Sequence, residues 1–93
     1  MDTVGRRPVM IKVASTTSVA YLVKAISCNV TCEGMVAELI AMGPHAINQS
    51  VKAIASARAA VLPNGFDLVC VPSFHVIDKD NKAMKLRVQS ILV

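Results

Sequence analysis

Few residues in this sequence have the types and spacing that chemistry requires. The strongest candidate is the stretch Ala41-Met42-Gly43-Pro44-His45-Ala46-Ile47-Asn48-Gln49. A strand that ends in glycine and opens directly into a helix leaves amide hydrogens pointing outward. The helix dipole adds about half a positive charge there, so a phosphate or carboxylate can be held. Gly43 permits close backbone approach, and His45, Asn48 or Gln49 can supply further donors. Every strand-to-helix turn has some of this character, and neither a Walker loop nor a GxGxxG run is present. The stretch therefore points to an anion without naming it.

Catalytic and metal-binding constellations are weaker. His45 and His75 are the two histidines, and neither has a Ser, Cys or carboxylate at a spacing that suggests a triad. No enzyme is expected. Cys28, Cys32 and Cys70 are odd in number, which excludes a closed disulfide framework. Cys28 and Cys32 share a helical face, but no His or further Cys stands nearby at zinc-ligand spacing. All three are expected to be small buried or half-buried side chains. Asp78 and Asp80 begin like a calcium loop but lack its Gly and closing Glu, so an ordinary turn is expected. No metal and no cofactor is expected.

At 93 residues the chain has the length of one domain, with a short arm at 1–8 and a single domain at 9–93. With 54% hydrophobic and 17% charged residues, a packed core is expected. Apolar runs are only a few residues long, such as Ala59-Ala60-Val61-Leu62, whereas a membrane helix needs about 20. Arg6 and Arg7 are not followed by the apolar run of roughly 7–15 residues that a secretion signal carries. A cytoplasmic protein, nucleoid-associated or nuclear if it meets nucleic acid, is the expectation. The formal charge of +4 suits an anionic partner. Tyr21, Phe66 and Phe74 are the only aromatic residues, too few for the stacking platform on which single-strand readers rely.

The elements that must position these residues follow from hydrophobic period. Val9 to Ser15 alternates, with Val9, Ile11 and Val13 on one side, as a strand covered on one face does. Any of Ser15, Thr16, Thr17 and Ser18 can cap the helix that follows, whose stripe is Val19, Leu22, Val23, Ile26 and Val30. Gly34 closes that unit, and Met35 to Met42 suits a central strand. After Gly43-Pro44 a second helix carries the stripe Ile47, Val51, Ile54 and Val61, and Pro63-Asn64-Gly65 stops it. Phe66 to Val71 is a third strand, which Pro72 assigns to a sheet edge or a bulge. Residues 78–82 form a hairpin loop, and Met84, Leu86 and Val88 line the covered face of a last strand. The order is β-α-β-α-β-β. A right-handed first crossover makes strands one and two parallel and puts both helices on one face. The fold class is α+β, a two-layer open-faced sandwich with a mixed four-stranded sheet. Its open face carries Lys12, Lys85, Arg87 and Gln89, and an apolar remainder there would indicate pairing with another subunit.

Lys12-Val13-Ala14-Ser15, Ser18-Val19-Ala20, the run from Gly43 to Arg58, and the run from Leu62 to Phe74 resemble the stage V sporulation protein S family. Ala46-Ile47-Asn48-Gln49, followed by Val51-Lys52-Ala53, is the most specific part, and the likeness runs from about Lys12 to Val93. That family is in turn similar to the Alba superfamily of nucleic-acid-binding proteins, whose β-α-β-α-β-β fold usually dimerises. The resemblance implies a DNA- or RNA-associated regulatory protein acting as a homodimer or higher homo-oligomer, with sporulation a role of bacterial members only. In Alba-like proteins the first loop, the Gly-containing second loop and the hairpin tip meet nucleic acid. On matching positions these are Thr16 and Thr17, Gly43 and His45, and Lys79 and Lys82, with Asn48 a further donor to phosphate.

One departure bears on affinity. Alba proteins commonly carry a lysine pair in the first loop, where this chain has Ser15-Thr16-Thr17-Ser18. Hydroxyls hydrogen-bond phosphate but release no counterions. Arg6 and Arg7 compensate if the amino end folds toward that loop. Weak, largely sequence-independent phosphate binding is the expectation. The competing readings are a protein-interaction or scaffold module and a small-anion sensor at Gly43 to Asn48.

Overall fold

The computed structural model describes residues 8–32 and 36–93. Strand β1 is Pro8–Val13, one residue earlier than its alternation suggests and ending before Ala14. Its Ile11 and Val13 enter the core while Met10 faces out. Ser18, of the four candidate caps, starts helix α1 (Val19–Ser27) by accepting the Tyr21 amide on its hydroxyl at 2.9 Å. Leu22 and Ile26 of α1 are wholly buried. The helix then widens into a π-helical turn, Cys28–Cys32, that keeps Val30 on the same buried stripe. Gly34, expected to close this unit, and Met35, expected to open the next strand, lie outside the described residues, as do the first seven residues with Arg6 and Arg7. Strand β2 is Val36–Ala41.

Helix α2 (Pro44–Val61) corrects the expected stripe. Its buried residues are Ala46, Ser50, Ala53, Ala57 and Val61; Val51 is 53% exposed, and Ile47 and Ile54 pack only at the margin of the core. The physical reason is approach distance. A row of small side chains lets α2 lie close against α1 and the sheet, and its larger residues straddle the contact. Ser50 is satisfied within the helix, donating to the Ala46 carbonyl at 2.8 Å. Gly65, with φ of 88°, turns the chain after the 3₁₀ turn Leu62–Asn64.

Strand β3 runs Phe66–Val76 and β4 runs Lys82–Leu92, in a four-stranded sheet of order β1-β2-β4-β3. β1 and β2 are parallel, and β4 is antiparallel to both β2 and β3. β3 therefore lies at an edge, as Pro72 requires, but continues through Pro72 rather than ending at Val71. Hydrogen-bond phase explains why. Val93 donates to Gly65 and Ile77 donates to Asn81, so the odd-numbered residues of β3 bond β4 and the even-numbered ones face the free edge. Pro72 is among the latter, so its missing N–H costs no ladder bond.

The same edge is blunted at Leu68. Its outward N–H donates to Asp67 Oδ1 at 2.7 Å, and Arg58 Nε donates to that oxygen at 2.6 Å. The Arg58 hydrogen bond, then the Leu68 amide, hold the Asp67 carboxyl below the usual carboxylate range. Cys28 and Cys70 are free and exposed, where buried or half-buried placement is expected; Cys70 lies on the edge strand β3, and partial burial still pushes its thiol up. The Cys32 side chain lies outside the described residues.

Two outcomes follow. Leu39→Ala, at a wholly buried position, should cost about 2–5 kcal/mol in urea unfolding, against less than about 0.5 kcal/mol for Leu92→Ala at an exposed one. Asp67 titrates lower in the folded chain than in the unfolded one, so its stabilisation is present above about pH 4 and is lost as pH falls further. Asp67→Asn should flatten that acid-side loss, and an unchanged acid limb would contradict the assignment.

Candidate nucleic-acid interface

Register places three turns at one end of the sheet. Val13 pairs with Ala41, and Ala41 with Met84, so the chain leaves β1 and β2 at the end where it enters β4. The hairpin overshoots: Val76 pairs with Lys82 beyond the last rung of β2. At about 3.3 Å per residue, its tip stands roughly 10 Å past that rung.

The first turn is closed internally. Thr17 N–H donates to the Ala14 carbonyl at 3.0 Å, and the Thr17 hydroxyl accepts the Ala14 amide at 2.9 Å. Gln49 Nε2 on α2 donates to the Thr17 carbonyl at 3.0 Å. Gln49, one of the possible ligand donors, is thus committed to holding the first turn against the start of α2. Thr17 is a structural member of the turn. Thr16 is exposed and has no internal hydrogen bond.

The second turn needs its glycine for conformation, not space. Gly43 has φ of 89°, and a Cβ there would meet nothing within 4 Å. No side chain caps α2, Pro44 has no N–H, and Ile47 donates to the Gly43 carbonyl at 3.1 Å. The His45 and Ala46 amides are left without an intrahelical acceptor. The His45 and Asn48 side chains are exposed.

At the hairpin tip, Asp78 is the organiser. Its Oδ1 accepts the Asp80 amide at 2.9 Å and the Asn81 amide at 3.0 Å, and Asn81 Nδ2 donates to both carboxylate oxygens at 3.0 Å. The Asn81 side chain, then the Asp80 amide, hold this carboxyl below its usual range. Lys79 is left at the exposed apex. Lys82 is the first residue of β4 rather than part of the tip, and its Nζ sits 5.4 Å from the centroid of the Phe74 ring. Two lysines against Asp78 and Asp80 leave residues 78–82 with no net charge.

All seven residues expected to meet nucleic acid therefore lie toward one rim: Thr16, Thr17, Gly43, His45, Asn48, Lys79 and Lys82. The first two turns are bound to each other through Gln49, while the hairpin stands apart. Phe74, 69% exposed beside Lys82, is a rim residue that sequence reasoning passed over. Its signal was present in the Met84 pattern, because a strand continued through Pro72 puts Phe74 opposite Met84. Among the described residues no group of three or more His, Cys, Asp or Glu side chains is placed to hold a metal ion. No described helix is long and apolar enough to cross a membrane.

Gln49→Ala should release the first turn from α2, with faster hydrogen exchange at the Ala14 and Thr17 amides; Asn48→Ala should leave both unchanged. Equal exchange in the two variants would show that the Gln49 bond does not hold the turn.

The family model described as stage V sporulation protein S (SpoVS) matches residues 9–91, from β1 through nearly all of β4. The chain belongs to the stage V sporulation protein S family.

Proposed function

We propose that this protein is a non-catalytic, cytoplasmic nucleic-acid-binding regulator, dimeric as Alba-like proteins usually are, that holds DNA or RNA phosphates at the three-turn rim. The observation that carries this reading is the gathering of the uncapped α2 start, the hydroxyl-bearing first turn and the protruding hairpin at one end of the sheet. Uncapped amides at a helix start attract anions. Thr16, His45 and Asn48 add donors with no competing internal partner, and Lys79 and Lys82 reach outward from the hairpin. The exposed Phe74 ring offers one stacking or wedging surface beside Lys82.

Magnitudes set the mode of binding. Each phosphate neutralised by a lysine contributes about −0.9 to the slope of log affinity against log salt on duplex DNA. Lys79 and Lys82 then give a slope of about −2, small for a DNA-binding protein. Donors aimed at phosphate carry no base readout. Binding is therefore weak and largely independent of sequence.

Fluorescence anisotropy with random duplex DNA and RNA, titrated with salt, tests this reading. Lys79→Ala with Lys82→Ala should bring the salt slope on DNA close to zero and weaken binding at low salt. No binding at low salt, or a wild-type affinity that salt does not change, would reject it.

A further inference from the structure

The face of the sheet opposite the helices is chemically incomplete. Register sets Met10, Glu38, Arg87 and Val71 in one cross-strand row, and Lys12, Ile40, Lys85 and Ser73 in the next. Lys12, Lys85 and Arg87 against the single carboxylate Glu38 leave these rows at a net charge of +2. The apolar remainder is large: Met10 is 54% exposed, Val71 47% and Ile91 43%. Between the rows runs a groove of about 190 Å³ lined by Glu38, Val71, Ser73, Lys85 and Arg87. Toward the rim, a wider cleft of about 470 Å³ includes Lys12, Ile40, His75 and Ala83.

Two polar atoms on this face are buried without a hydrogen-bond partner, Arg87 Nε and Gln89 Oε1. They stand two residues apart on β4 and so lie on the same side of the sheet. Buried polar atoms in folded proteins are nearly always paired. This donor and this acceptor therefore carry a desolvation cost that no bond among the described residues offsets.

Charge and chemistry select the occupant. Nucleic acid finds no ring here: Phe66 and Phe74 pair with Leu92 and Met84 and take the opposite side, and Tyr21 is on α1. Exposed Met10, Val71 and Ile91 also offer phosphates nothing. A second copy laid face to face would set one cationic surface against another. An acidic polypeptide meets every requirement. Its carboxylates neutralise Lys12 and Lys85, and its apolar side chains cover Val71 and Met10.

We infer that the uncovered sheet face docks an acidic segment of another polypeptide that carries interspersed apolar residues. This interaction is separate from the rim and does not depend on the nucleic-acid reading. An isotope-labelled sample of the full chain, titrated with the N-acetylated peptide Glu-Leu-Glu-Glu-Val-Leu-Glu-Glu, tests it by amide chemical shift. Saturable shifts should concentrate on Lys12, Ile40, Lys85 and Arg87, and the same peptide with Lys in place of Glu should give none. Lys85→Glu should weaken peptide binding roughly tenfold while keeping the salt slope for duplex DNA. Lys12→Glu, at an exposed position that tolerates the change, should weaken it in the same direction. Three results would overturn the inference: no shifts on this face, shifts there with duplex DNA instead, or concentration-dependent self-association that protects these residues.

Discussion

A row of small side chains seats α2 against α1 and the sheet. Ala46, Ser50, Ala53 and Ala57 present almost no side-chain bulk, so the helix lies near the strands and near α1 at once. That contact fixes where α2 starts. Its first turn must stand directly above the end of β2, with Gly43 making the left-handed step between them. Replacing this row with larger residues would lift the helix and carry the His45 and Ala46 amides away from the first turn. Packing at the middle of α2 and chemistry at its start are one arrangement.

Much of this was legible in the sequence, and the exceptions have physical causes. The six elements, their order and the covered sides of β1 and β4 follow from period-two and helical spacing, as in Val9, Ile11 and Val13 or Leu22 and Ile26. The edge position of β3 follows from Pro72, which cannot donate. What misled was weighting by hydrophobicity. Ile47, Val51 and Ile54 are the most apolar residues of α2, yet Ala and Ser pack against the sheet because proximity, not bulk, is limiting there. Pro72 likewise predicts an end that β3 runs past, because periodicity does not reveal which residues turn their amides to the free edge. Hydrogen-bond commitment is equally hidden: nothing in its neighbours says that Gln49 is spent on the Thr17 carbonyl while Asn48 is not.

A sheet covered on one side divides the molecule into surfaces of different character. Helices occupy one face, and turns occupy a rim rich in amides and hydroxyls but without net charge at the hairpin tip. The remaining face is cationic and apolar together, with a donor and an acceptor left unmatched.

The proposed phosphate-facing rim joins the turns after β1 and β2 and the β3–β4 hairpin. Backbone amide shifts on adding a random-sequence DNA duplex at low salt test it most directly. Thr16, His45, Ala46 and Lys79 should be perturbed together, with the shifts fading as salt is added. Shifts centred instead on the outer helical surface around Lys24 and Lys52, or no shifts at all, would contradict it.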